Sequence, residues 1–159
     1  MNNLKFTSNS ELDTMNFAKS LASKLQLKDV IVLTGDLGSG KTKFTEGLLT
    51  YFGLENEISS PTFTIVNEYL KKDNNTNKVI PIYHFDVYRL EDSSEFYEIG
   101  GEEYFENGIC IIEWGELIED ALPNEYMQIK FEKDIDNENH RILNITAHGK
   151  RFENLIEQL

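Results

Sequence analysis

A chain of 159 residues, 40% hydrophobic and 27% charged, is long enough for one globular domain over 1–159, and its formal charge of −13 is a poor match for unaided binding to DNA or RNA. A lone cysteine, Cys110 in the apolar run Ile109–Ile112, excludes a disulfide framework and a multi-cysteine zinc site, and reads as a small core residue. No apolar stretch approaches the length of a membrane span and the N-terminus lacks a signal-peptide pattern, so the cytoplasm is the expected compartment and no membrane partner is expected.

In chain order, residues 4–7 read as a short strand. Ser10, followed by Glu11 and Asp13, is an N-cap signal; Leu12, Met15, Ala18, Leu21, Ala22 and Leu25 then recur at helical spacing, predicting a helix to about Leu27. A strand over 30–34 leads into the glycine-rich segment 35–40, and the next helix runs from near Lys41 to about Phe52, ended by Gly53. Ser59-Ser60-Pro61 is a loop, Thr62–Leu70 a strand, 71–78 a polar hairpin connection and Val79–Leu90 the return strand. Glu91–Phe105 reads as helix broken at Gly100-Gly101, and Gly108–Trp114 as a strand apolar enough to be buried on both faces. Strands near 126–132 and 141–147 flank a polar turn, and 149–159 predicts a terminal helix. Helices alternate with strands early and hairpins dominate later. This predicts the α/β class: a three-layer, P-loop NTPase-like domain with a mixed, largely central sheet flanked by helices, and a glycine-rich loop at the carboxyl edge of a central parallel strand.

That loop carries the clearest chemistry. Gly35-Asp36-Leu37-Gly38-Ser39-Gly40-Lys41-Thr42 fits G-x-x-x-x-G-K-[ST] between a strand and a helix. Its fixed positions would match by chance in roughly one chain in 200 of this size. Glycines let backbone N–H groups converge on phosphate oxygens, and the helix start adds its positive end. Asp36, Leu37, Gly38, Ser39 and Gly40 are therefore expected to cradle phosphate. Lys41 reaches the β- and γ-phosphates and Thr42 ligates Mg²⁺, so a nucleoside triphosphate with Mg²⁺ is the expected ligand.

Hydrolysis needs further groups, and three segments offer them. Glu113 ends the apolar strand Ile109–Glu113, the layout of a Walker B acid with Glu in place of Asp, and is a second candidate Mg²⁺ ligand. In His84-Phe85-Asp86-Val87-Tyr88-Arg89, period-two alternation puts His84, Asp86 and Tyr88 on one face. Asp86 is a candidate for orienting or deprotonating water, Arg89 for pairing with an acid or phosphate, and His84 for a site wall or a satisfied buried histidine. Thr62, in Ser60-Pro61-Thr62-Phe63, sits where a threonine could sense γ-phosphate and Mg²⁺. Trp114, beside Glu113, is either core or a stacking platform for the nucleotide; spacing does not decide.

Together these segments, in this order and spacing, resemble the TsaE (YjeE) family of small P-loop ATPases of threonylcarbamoyladenosine synthesis in bacterial tRNA, over nearly the whole chain. The resemblance implies an ATP- and Mg²⁺-dependent cytoplasmic ATPase, weak without partners. It would work with the TsaB and TsaD subunits, reset that transferase complex between turnovers and meet tRNA only indirectly. It further implies Lys41 and Thr42 on phosphate and metal, Glu113 as the second metal-side acid, Thr62 as a switch residue and Asp86 as the acid of hydrolysis. Gly115 stands where the family often has Pro or Ser, and the hairpin 71–78 is longer and richer in Asn; neither is expected to touch this chemistry. For the adenine pocket, the start of the first helix (Glu11 to Thr14) and Arg141 are candidate contributors.

Other functions fit less well. A GTPase normally shows Asn-Lys-x-Asp, and Asn77-Lys78-Val79-Ile80 lacks the acid. A small-molecule kinase usually closes an arginine-bearing lid, and the chain has only Arg89, Arg141 and Arg151. A subunit that binds nucleotide without hydrolysing it remains the third alternative.

Overall fold

The computed structural model describes residues 2–36, 38–57, 65–72 and 78–159. Seven strands form one sheet in the order β1-β7-β6-β2-β5-β4-β3. They are β1 (Asn3–Ser8), β2 (Val30–Gly35), β3 (Val66–Lys72), β4 (Val79–Asp86), β5 (Ile109–Glu113), β6 (Tyr126–Lys133) and β7 (Arg141–His148). β2 lies at the centre, parallel to β5 on one side and to β6 on the other, and β4 is parallel to β5. The outer pairings, β1 with β7, β6 with β7 and β3 with β4, are antiparallel. The sheet is therefore mixed, as expected, and the glycine-rich loop leaves the carboxyl end of its central parallel strand.

Alternation along β2 divides the core into two. Ile31 and Leu33 face α1 (Glu11–Ala22), α2 (Lys41–Tyr51) and α5 (Lys150–Ile156), meeting Leu21, Phe44, Leu48, Phe152 and Leu155. Val30 and Val32 face α3 (Ser93–Glu98), α4 (Gly101–Asn107) and a 3₁₀ helix over Gly115–Ala121, meeting Phe96, Phe105 and Ile118. Both faces of the central strands are covered, so these read as continuous apolar runs. Cys110 lies in the second cluster, and burial pushes its thiol pKa far up, as suits an inert core residue.

Most elements fall where expected, with instructive differences. Ser10 caps α1, its Oγ accepting from the Asp13 N–H at 3.1 Å while the Asp13 carboxylate accepts from the Asn9 N–H at 3.0 Å. The helix stops at Ala22 rather than Leu27. Buried Asp29 explains this: its carboxylate accepts the Gln26 N–H at 2.8 Å and binds Arg151 of α5 at 2.7 and 3.1 Å, an anchorage that outweighs helical periodicity. The return strand ends at Asp86, and 87–90 turn away. The 3₁₀ helix was not anticipated. The predicted loop at 59–61 and the first three residues of the predicted strand Thr62–Leu70 lie outside the described residues. Among the described residues, no helix is long and apolar enough to cross a membrane.

α1 and α2 approach closely because α2 carries Gly47 on the shared face. A Cβ there would lie 2.7 Å from the Met15 carbonyl oxygen and 2.8 Å from the Ala18 Cβ. Gly47→Ala should therefore destabilise the protein by about 1–3 kcal/mol through overpacking. Urea denaturation checks this; an unchanged midpoint would mean that the two helices part without cost.

Candidate active site

Gly35 and Gly38 have φ of +128° and +75°, and Gly40, at +110°, is the left-handed N-cap of α2. The Gly40 cap carries no side-chain hydrogen bond, so the first N–H groups of α2 are left open to an anion. At Gly35 a Cβ would come within 2.5 Å of the Phe131 carbonyl oxygen, so glycine is required there by close packing as well as by φ.

Lys41, in the first turn of α2, is not the exposed side chain its position in a ligand loop suggests. It is only 5% exposed. Its Nζ donates to the Gly35 carbonyl at 2.6 Å and lies 3.6 Å from the centroid of the Trp114 ring. Burial lowers the pKa of this ammonium, against the opposing pull of Glu113, Glu116, Asp86 and Asp36.

Trp114 is placed by the end of β5. It has φ +65°, a region costly for a bulky residue, and its backbone N–H donates to the Leu33 carbonyl at 3.0 Å. The next residue, Gly115, packs so closely on β2 that a Cβ would meet Val32 Cγ1 at 2.2 Å. Gly115 thus bears on the site, contrary to expectation, because it lets the chain turn tightly enough to lay Trp114 over Lys41. Tyr88, exposed beyond the end of β4, packs against Trp114 at 4.9 Å between centroids.

The acids come from neighbouring parallel strands. Asp86 and Glu113 are register partners at the carboxyl ends of β4 and β5. They share the face on which α2 lies, opposite Phe85 and Ile112. Asp86 also caps the turn, its Oδ1 accepting the Tyr88 N–H at 3.1 Å. Glu113 Oε2 lies 2.7 Å from Nε2 of His84, which is 4% exposed. Gly38, Gly40, Lys41, Thr42, Asp86, Glu113 and Trp114 line one cavity of about 780 Å³.

Residues 8–142 match the family described as "Threonylcarbamoyl adenosine biosynthesis protein TsaE". The chain belongs to the TsaE family. Among its relatives, the "tRNA threonylcarbamoyladenosine biosynthesis protein TsaE" of Bacillus subtilis (strain 168) is 42% identical, over 100% of this chain and 95% of that one. The TsaE protein of Rickettsia conorii is 41% identical, over 91% of this chain and 78% of that one. The crystal structure of Bacillus subtilis YdiB superposes with a TM-score of 0.77 at 36% identity, covering 98% of this chain and 93% of that one. The TsaE family takes part in the biosynthesis of threonylcarbamoyladenosine in tRNA.

Within this family fold, the predicted site residues distribute as follows. Lys41, Thr42, Asp86, Glu113 and Trp114 converge on the large cavity together with Gly38 and Gly40. Asp36 and Ser39 instead line a separate, smaller hollow of about 410 Å³, with Lys130, Glu132 and Lys133 of β6. Leu37 and Thr62 lie outside the described residues. Tyr88 does not share a strand face with Asp86, because β4 has already ended. His84 is a buried partner of Glu113 rather than a cavity wall. Glu11, Leu12, Thr14 and Arg141 also line the cavity. The β6–β7 hairpin leans over the loop: Arg141 donates to the Gly38 carbonyl at 3.4 Å, and Lys133 Nζ lies 3.5 Å from where a Gly38 Cβ would be. Lys133 went unnoticed in the sequence because nothing local marks a strand residue as a neighbour of a distant loop.

Proposed function

We propose that this chain binds MgATP in the large cavity and hydrolyses it, in support of the TsaB–TsaD complex that modifies tRNA. One observation carries the reading: a buried lysine at the mouth of an uncapped helix faces two acids from adjacent parallel strand ends across a single cavity. In this reading Lys41 and the N–H groups at the start of α2 hold the phosphates, Asp86 orients the attacking water, Thr62 senses the γ-phosphate and Trp114 packs at the nucleotide's edge.

The donor set suits Mg²⁺ in particular. Among the described residues there is no group of three or more His, Cys, Asp and Glu side chains able to hold a metal by themselves. A hydroxyl from Thr42 and a carboxylate from Glu113 are what Mg²⁺ uses when phosphate and water complete its shell. Bound there, the ion would neutralise charge on the β- and γ-phosphates. Hydrolysis fits better than kinase chemistry. Arg151 is bound to Asp29, Arg89 is exposed in the turn after β4, and of these three arginines only Arg141 lines the cavity.

With a formal charge of −13, this chain repels a phosphate backbone, so tRNA is met through its partners in the cytoplasm. Multiple-turnover phosphate release tests the reading. The isolated protein should turn over slowly and gain about tenfold or more when TsaB and TsaD complete the water side of the site. Filter binding at low salt should show no tight complex with tRNA alone. A rate indifferent to saturating TsaB and TsaD would sink the coupling, and tight tRNA binding would sink the indirect role.

A further inference from the structure

We propose that His84 is a positioning residue that keeps the Glu113 carboxylate turned away from Lys41, so that lysine and acid stay separately available; this rests on the MgATP reading above. His84 sits two residues before Asp86 on β4, opposite Ile111 of β5. It therefore projects on the same face as Asp86 and Glu113 and reaches Glu113 diagonally, Nε2 to Oε2, at 2.7 Å.

A carboxylate oxygen only accepts, so Nε2 is the nitrogen that carries hydrogen. The other ring nitrogen, Nδ1, is buried and without a hydrogen-bond partner among the described residues. An apolar ring would fill this space without stranding a nitrogen. What histidine adds is the Nε2–H bond to Glu113, and the unpartnered Nδ1 is its cost.

That bond has a consequence for Lys41. Glu113 is close enough to act on the lysine electrostatically, yet Lys41 makes no ion pair among the described residues and donates to the Gly35 carbonyl instead. With Oε2 committed to His84, Oε1 makes no hydrogen bond among the described residues and belongs to a carboxylate lining the cavity. Release the acid, and the Lys41 ammonium, on which it already acts electrostatically, is open to it as a partner. The pair would then neutralise itself, taking a counter-charge from the phosphates and a ligand from the metal.

The test uses two probes: ADP in EDTA, titrated by calorimetry, and Mn²⁺ on the protein–ADP complex, followed by electron paramagnetic resonance. His84→Phe should weaken Mn²⁺ binding about 10-fold or more, the usual cost of losing a group that orients a metal ligand. It should also weaken metal-free ADP binding. His84→Gln, whose amide nitrogen reaches about as far as Nε2, should stay near wild type in both. In a Glu113→Gln background His84→Phe should no longer affect metal-free ADP binding, because position 113 then carries no charge with which to pair with Lys41. If His84→Phe does not fold, His84→Asn, whose amide falls short of Glu113, takes its place in both titrations. Wild-type values for His84→Phe or its substitute, or an ADP loss undiminished in the Glu113→Gln background, would overturn the proposal. Failure of the MgATP reading looks different: the wild-type protein itself would bind neither ADP nor Mn²⁺·ADP.

Discussion

Replacing Lys41 with methionine should lower MgATP affinity by about 100-fold or more while leaving the protein folded. Charge-assisted hydrogen bonds to phosphate are each worth roughly 1.5–3 kcal/mol, and a lysine in this loop makes more than one. Methionine keeps the length of the side chain beneath Trp114, whereas alanine would leave a void there. The sign of the stability change follows from burial. Desolvation lowers the Lys41 pKa, so at neutral pH the charged form is less favoured in the nucleotide-free folded protein than in the unfolded chain. A neutral thioether removes that cost, and the melting temperature should hold within a few degrees or rise. The chain has one tryptophan, so its fluorescence reports this spot directly and should change on removing the ammonium 3.6 Å from the ring centroid. Calorimetry with MgATP decides the matter. Near-wild-type affinity in the folded variant would refute the phosphate-loop assignment.

Glu113→Gln and Asp86→Asn should each cut phosphate release at saturating MgATP by about 100-fold or more, while ADP affinity without metal stays within a few-fold of wild type. A group that acts on the transition state changes turnover more than ground-state binding. Both substitutions keep the local structure. Glutamine still offers an oxygen to His84 Nε2, and asparagine still offers Oδ1 to the Tyr88 N–H, so the 2.7 Å and 3.1 Å contacts have acceptors. Glu113→Gln should also raise the Mg²⁺ concentration needed for half-maximal rate, which Asp86→Asn should do far less. Steady-state assays across Mg²⁺ concentrations, in the presence of TsaB and TsaD, separate the two roles. Normal turnover by both variants would remove Asp86 and Glu113 from the site.

By itself the sequence determined what is local. Positions 35–42 specify a strand, a tight glycine-bearing turn and a helix start, because left-handed φ values at 35, 38 and 40 are cheap only for glycine. Ser10 and Asp13 specify where α1 begins, and Gly100 where the helical stretch after β4 breaks, each through bonds and dihedrals a few residues long. Alternation in 84–86 correctly put His84 with Asp86 and Phe85 opposite. Only the tertiary structure decided the order of the strands. Placing β2 between β5 and β6, with β4 beyond β5, is what brings residues 41, 86 and 113 around one cavity. Parallel pairing is chosen by burial on both faces, which leaves no periodic trace in any one segment. The same non-local burial ends α1 early at the Asp29–Arg151 pair, turns Trp114 onto Lys41 by pressing Gly115 against Val32, and joins His84 to Glu113. A motif read along the chain names the groups that carry the chemistry. Which of their atoms face one another depends on contacts between segments that sequence spacing cannot express.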